Sequence, residues 1–421
     1  MTNEEPLELK ILRQLQVPTA SLMEDLVLQE VTRIFDGLFG EEEPVSIARD
    51  QTGNIVIHYE GDPNRDNPKS LALLAHSDHP AFSVDGRTQD DTNLILRMQG
   101  GLNPESLILD APLFSLGTEV YLHRLVRHDG GIITVEGGII TVETSESVLH
   151  TSLDQRDGNP SKRYHATANG LDRVDFATLK LPSLSVRDNY VSAPVIDDLG
   201  GIAINLAALR NIVNQKLGVD VYVVVTRAEE IGLLGAYGLV SHHVLPRDTL
   251  YVAVDTSSCR AKWDRADTKE PLKVITSLGA GAVIRTGDNS TPLFNGDANE
   301  LLISAGRALQ SRGEAVQAMR MYGGSCEASI LYAMGARATA LAIPLEGWHN
   351  GLQEGRVMSE RVALSDLASG VNVLTTAAQL LANDPRRYSR FHVDHLQPSS
   401  LKFRDAVAGL YGKEPAFNIK R

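Results

Sequence analysis

Four short apolar runs, each leading into a residue that can bind a cation or move a proton, constrain this sequence more than any other feature. Leu71-Ala-Leu-Leu-Ala runs into His76, and Val221 to Thr226 leads to Glu229 and Glu230. Leu250 to Val254 ends on Asp255, and Ala338 to Pro344 precedes His349. Runs this short and this uniformly apolar read as strands buried on both faces of a sheet. In an open α/β sheet, ligands bind beyond the carboxyl ends of the strands, so these residues are expected to converge on one site. Asp197 joins them by opening a helix that starts near Asp198.

Between the runs lie segments with helical spacing of apolar positions, around 198–214, 297–312, 325–335 and 361–382. Two further helices are expected in residues 7–39, separated near Pro18, followed by an alternating strand at Asn54-Ile-Val-Ile-His-Tyr. Alternation of strand and helix predicts an α/β sheet with helices on its faces. From about 86 to 190 the helical period disappears, and short β-branched runs between glycines take over. Within that stretch Gly130-Gly-Ile-Ile-Thr-Val-Glu recurs at once as Gly137-Gly-Ile-Ile-Thr-Val-Glu, which reads as two hairpin strands of a small inserted barrel or sandwich. The expected organisation is a catalytic domain in two parts, 1–85 and 191–385, an inserted β domain at 86–190, and a tail at 386–421. Two domains also suit a length of 421 residues, given roughly 150 residues per domain.

Charge narrows the partners. A net charge of −13 opposes binding to a phosphate backbone, which needs clustered Lys and Arg. No run reaches 18 apolar residues, and the acidic start Met-Thr-Asn-Glu-Glu-Pro lacks a signal-peptide pattern, so neither membrane spanning nor secretion is expected. Cys259 and Cys326 form no Cys-x-x-Cys pair, which fits a reducing cytoplasm.

Two imidazoles and three carboxylates, from His76, Asp197, Glu230, Asp255 and His349, make a suitable donor set for zinc. Two zinc ions would be balanced by the three carboxylates and one bridging hydroxide, leaving Glu229 free for proton transfer. Other features are weaker. His392-Val-Asp-His395 follows no apolar strand, His242-His243 sits beside Pro246, and Asp90-Asp91 reads as loop. Cys326 opens a helix whose dipole could lower its pKa, Glu327 could orient a substrate ammonium, and Trp348 could line a pocket or pack at a seam.

The segments His76-Ser-Asp78, Ile196-Asp-Asp-Leu-Gly-Gly, Ala228-Glu-Glu-Ile-Gly-Leu-Leu-Gly-Ala, Ala253-Val-Asp255 and Ile343-Pro-Leu-Glu-Gly-Trp-His349 resemble the successive metal-site motifs of the co-catalytic zinc aminopeptidases. The β insertion, Gly281-Ala-Val-Ile-Arg-Thr-Gly287 and Gly323-Gly-Ser-Cys-Glu-Ala bring the resemblance nearest to the M42 glutamyl and tetrahedral aminopeptidases, over about residues 5 to 382. The chain departs from that pattern twice. His79-Pro-Ala-Phe stands where the motif runs on as Glu-Ile-Gly, and Gly-Trp-His-Asn350 stands where the motif has Ile-His-Ser-Pro.

The resemblance implies a mixed-sheet zinc-peptidase domain carrying a small inserted β-barrel, and a large homo-oligomer. It implies that His76 and Asp255 hold one zinc, that Glu230 and His349 hold the other, and that Asp197 bridges them, with cobalt or manganese as substitutes. Glu229 becomes the general base, Asp78 braces His76, and the Asp197–Asp198 peptide is cis. The implied reaction is removal of N-terminal residues from peptides by metal-activated water. A two-zinc carboxypeptidase or amide deacylase shares some of these motifs, but there the added domain usually follows the Glu-Glu motif. A non-catalytic binding protein on the same fold would have less reason to keep every ligand and Glu229.

Overall fold

The structure is a computed structural model describing residues 4–62, 70–88, 92–100, 118–128, 139–154, 161–167, 170–259, 276–288, 290–291, 293–294, 296–321, 324–354 and 357–389. Two helices open the chain, α1 (Leu7–Gln14) and α2 (Asp25–Leu38), followed by strands β1 (Val45–Arg49), β2 (Ile55–Tyr59) and β3 (Ser70–His76). The six strands that follow are β4 (Ala81–Arg87), β5 (Asn93–Gln99), β6 (Thr118–His128), β7 (Ile139–Asp154), β8 (Ser161–Thr167) and β9 (Phe176–Leu179). A short hairpin, β10 (Ser185–Arg187) and β11 (Tyr190–Ala193), leads into α3 (Leu199–Asn214). Then come β12 (Asp220–Thr226), α4 (Leu234–Ser241), β13 (Leu250–Ser258), β14 (Val283–Gly287), α5 (Asp297–Gln310), β15 (Gln317–Arg320), α6 (Glu327–Ala333), β16 (Arg337–Leu345), β17 (Glu360–Ala363) and α7 (Leu364–Asn383).

Eight strands form one mixed sheet in the order β1-β2-β12-β3-β13-β16-β14-β15. Its centre, β12-β3-β13-β16, is parallel. Every residue of β3 is buried, which is why its sequence is apolar without alternation. Leu71, Leu73 and Ala75 pack into the core shared with α1, α3, α5 and α7, while Ala72 and Leu74 turn to the other face and pack with α4 and α6. Alternate side chains of one strand therefore hold the two helical layers to the sheet.

Strands β4 to β9 close on themselves as a barrel in the order β4-β5-β8-β7-β6-β9. Its interior is filled by Phe82, Leu94, Leu96, Val120, Leu122, Leu149, Tyr164 and Ala166. The period of two along β5 and β6, with Leu94 and Leu96 or Val120 and Leu122 pointing inward, is the pattern of strands with one wet face. β10, β11 and β17 form a three-stranded sheet with β11 in the middle instead of joining the barrel.

Of the duplicated Gly-Gly-Ile-Ile-Thr-Val-Glu unit, Ile139 to Glu143 lie in β7 opposite β6, and residues 130–138 lie outside the described residues. So do Asp90-Asp91, His392, His395 and the tail from 390 onward. Among the described residues no helix is long and apolar enough to cross a membrane.

Candidate metal centre

The parallel strands deliver the site residues side by side. His76 is the last residue of β3 and lies opposite Thr226, the last residue of β12. Three residues beyond that, the Glu229-Glu230 turn is held by Asp78, whose carboxylate accepts from the Glu229 N–H at 2.9 Å and the Glu230 N–H at 3.1 Å. Ser21 donates to the same carboxylate at 2.7 Å. Glu24, fully buried, accepts from the Ala228 N–H at 3.0 Å and pairs with Arg227 at 2.7 Å. Ala228 adopts a left-handed φ of 52°, so this turn depends on such outside anchors.

Asp197 precedes α3 through a cis peptide to Asp198. Asp198 caps the helix by accepting from the Gly201 N–H at 3.1 Å. A Cβ on Gly201 would lie 2.4 Å from that carboxylate, which explains the glycine after Asp-Asp-Leu-Gly. Asp255 does not end its strand as expected. β13 continues to Ser258, because Asp255 to Ser258 still pair with β16, and the side chain enters the site from within the strand. His349 follows β16 in a turn where His349, Asn350 and Gly351 all have positive φ.

These residues meet. His76, Asp197 and Asp255 offer ligand atoms within 4.8 Å of one another, as do His76, Glu229 and Glu230, and Asp197, Glu230 and His349. Asp197 lies between two of these groups. Its Oδ1 is 3.4 Å from His76 Nε2, and its Oδ2 is 3.4 Å from His349 Nε2. His349 Nε2 is 3.1 Å from Glu230 Oε1.

A donor set should be tested against what the fold leaves unsatisfied. Asp197 Oδ1 and Glu230 Oε1 are buried without a hydrogen-bond partner. Each has only a histidine nitrogen nearby, at 3.4 and 3.1 Å, and a buried carboxylate oxygen without a hydrogen bond is costly, whereas a cation between such oxygens and the histidine nitrogens satisfies them. The residues present therefore fit a metal. His76 directs Nδ1 to the main-chain carbonyl of Asp78 at 3.0 Å, which leaves Nε2 facing the cluster. The Asp78 carboxylate, expected to receive that proton, stands 3.6 Å away and serves the Glu229-Glu230 turn instead.

The charges pull against burial. Burial disfavours the charged form of His76, but Glu229, Asp197 and Asp78 outweigh it and raise its pKa well above the usual value. Burial would raise Asp197, and the facing His349 and His76 hold it well below the normal carboxylate range. Glu229 goes the other way: burial, reinforced by Glu230, Asp255 and Asp78, pushes it well up. Asp255 is raised by burial, with Arg285 beside it at 3.1 Å opposing the shift.

Several features stand apart from their sequence reading. Burial drives the Cys326 thiol strongly up, against the lowering expected from a helix N-terminus. Glu327 is buried with both oxygens unpartnered, and burial pushes it up to about 7. Trp348 donates its indole N–H to Asp197 Oδ2 at 2.6 Å. His242 and His243 are exposed beyond α4, outside all three groups. The sequence reading does not single out Glu24, Arg285 or Glu360. Glu360, fully buried, accepts from the Ile196 and Asp197 N–H groups at 2.6 and 2.9 Å. An acid at the start of a short strand carries no signal of such a role, since its partners lie more than 160 residues away.

The sequence matches the M42 glutamyl aminopeptidase family over residues 53–367. No curated protein sequence matches it. Among solved structures, the TET1 peptidase of Pyrococcus horikoshii, described as assembling into a tetrahedron or a large octahedral shell, aligns at 22% identity with a TM-score of 0.62, covering 88% of this chain and 98% of that one. The aminopeptidase APDkam598 of the archaeon Desulfurococcus kamchatkensis aligns at 19% identity and a TM-score of 0.67, over 92% of this chain and 99% of the other. A TET aminopeptidase from a marine-sediment Thaumarchaeota archaeon aligns at 18% identity and 0.65, over 94% and 99%. At these identities the structural likeness establishes the fold, and the family match covers most of the chain. The protein belongs to the M42 glutamyl aminopeptidase family and is a metallo-aminopeptidase.

Proposed function

We propose that the protein removes N-terminal residues from peptides with two zinc ions, His76 and Asp255 holding one, Glu230 and His349 the other, and Asp197 bridging. The observation that carries this reading is the position of Asp197, whose two oxygens face two histidines, each belonging to a different group of acids. Zinc held there would lower the pKa of a water toward about 7 and polarise the scissile carbonyl. The protein's own part is to aim donors and move protons. Glu229 borders His76 and Glu230 without being needed as a ligand, which leaves it to take the proton of the attacking water. The burial that raises Glu229 suits a carboxylate that must carry a proton from water to the leaving amine. Asp78 fixes the direction of both glutamates through their N–H groups, so its contribution is to positioning.

On the same reading the barrel strands, placed in sequence between His76 and Asp197, form an inserted domain, and the assembly is a homo-oligomer that admits peptides. No disulfide joins Cys259 and Cys326, which accords with a cytoplasmic location. The test is metal analysis of the purified protein combined with a panel of aminoacyl amides and N-blocked peptides. Two zinc ions per chain and cleavage only of substrates with a free α-amine are expected. Cleavage of N-blocked peptides from the carboxyl end, or a protein that takes up no metal, would refute the reading.

A further inference from the structure

The turn that presents His349 has backbone φ values of 50°, 55° and 70° at His349, Asn350 and Gly351, so its shape needs support from outside. Asn350, 3% exposed, supplies it. Its Nδ2 donates to the Pro194 carbonyl at 2.6 Å, which leaves Oδ1 to face His79 Nε2 at 3.1 Å. His79, also 3% exposed, directs its other nitrogen, Nδ1, to the Asp197 carbonyl at 2.6 Å. The residue after His349 is thereby tied at both ends of its amide to the segment that carries Asp197. Glu360 completes the bracing from behind, accepting from the Ile196 and Asp197 N–H groups with one oxygen, the other lying 4.0 Å from His79 Nε2.

His79 and Asn350 stand 271 residues apart, and they occupy the two stretches where the chain departs from the motif pattern it otherwise follows. The fold brings the two departures into direct contact, so they act as one feature. Neither offers an atom to the groups that could hold a cation. Both sit against the side where Asp197, Glu230 and His349 meet, whereas on the other side Asp255 is braced by Arg285.

We infer that His79 and Asn350 are a positioning pair that sets Asp197 against His349, and so controls how tightly the cation on the Asp197–Glu230–His349 side is held. This rests on the proposed function. His349 Nε2 is already within 3.1 Å of Glu230 and 3.4 Å of Asp197, so a loosened turn moves the histidine off a site whose other donors stay in place. Partners of this kind, which orient a ligand without touching the metal, typically change affinity by about 10- to 100-fold.

The test uses the full chain, stripped of metal and titrated with cobalt(II), followed by visible absorption and equilibrium dialysis, with thermal melting of each variant as the check on folding. His79→Gln, His79→Leu, Asn350→Ser and the double variant H79Q/N350S are compared with wild type. One of two cobalt steps is expected to weaken by about 10- to 100-fold with its absorption band altered, and the other to keep its affinity. The double variant should lose less than the sum of the two single losses, because both changes break the His79–Asn350 bond. His79→Gln, which keeps a donor for one of the two bonds, should lose less than His79→Leu. Two unchanged cobalt steps, an equal loss in both, or additive losses in the double variant would overturn the pair and leave the proposed function standing. A wild-type protein that takes up no cobalt or zinc would overturn both.

Discussion

His76 and His123 are buried to nearly the same degree, at 2% and 1% exposure, and they respond in opposite directions. His76 ends a strand of the sheet among Glu229, Asp197 and Asp78, which raise its pKa well above normal in spite of burial. His123 lies on the face of β6 that turns away from the barrel interior, between the hydroxyls of Thr144 at 3.0 Å and Thr178 at 2.8 Å, with the Phe176 ring 4.8 Å away. With no carboxylate to offset it, burial lowers His123 to about 4. The two regions thus treat charge differently. The barrel fills its interior with apolar side chains, holds His123 neutral on its outer buried face, and leaves pairs such as Arg124 with Glu143 and Asp172 where the side chains are 33%, 52% and 76% exposed. The sheet edge gathers acids and histidines inside, an arrangement that makes sense when a cation completes it.

The largest effect that could break this contrast lies at the sheet edge. Glu229→Gln should keep its metal and its fold while activity falls by about 10²- to 10⁴-fold, the usual share of general-base catalysis. Glu230→Gln should weaken metal binding together with activity, because a neutral amide replaces a charged donor. Metal content and turnover measured on both variants would reverse the assignment if Glu229→Gln lost its metal and Glu230→Gln kept it.

The barrel side is sharpened by acid. Unfolded His123 takes up a proton below about 6.5, but in the folded barrel it does so only near 4. The folded state is therefore favoured in full above pH 6.5, and that advantage is lost as pH falls from 6.5 to 4, by roughly 3 kcal/mol in all. Hydrogen exchange of barrel amides, or acid unfolding of the chelated protein, should show this slope in wild type and a flatter one in His123→Gln. Equal slopes would mean that the barrel tolerates a buried charge after all.

The smallest effect concerns the charges outside. Arg124→Ala removes two exposed ion pairs and should change stability by only about 0–1 kcal/mol, less still in high salt. A loss of several kcal/mol in urea unfolding would show that the barrel's outer charges matter to its fold in the way the inner charges matter at the sheet edge.

Much of this was legible in the chain itself. The uniform apolar run before His76 marks a strand covered on both faces, and the helical spacing of 198–214 and 361–382 closely matches α3 and α7. The candidate donors His76, Glu230, Asp255 and His349 could be picked out because each stands just beyond, or within, such a run, and Asp197 because it opens a helix. Asp255 shows where that reasoning slips: apolar character stops at Val254 but pairing with β16 does not, since backbone hydrogen bonds are indifferent to the side chain. Glu24 and Glu360 could not be picked out at all, because each works through main-chain N–H groups of residues 163 or more positions away.

The amino-acid order by itself determined the periodicities, and through them the strands, the helices and the kinds of donor available, because these depend on side chains a few residues apart. Only the tertiary structure decided which acids face a histidine, which histidine is buried away from them and that His79 meets Asn350. Charge and hydrogen bonding act across space over a few ångströms, and it is folding that sets those distances.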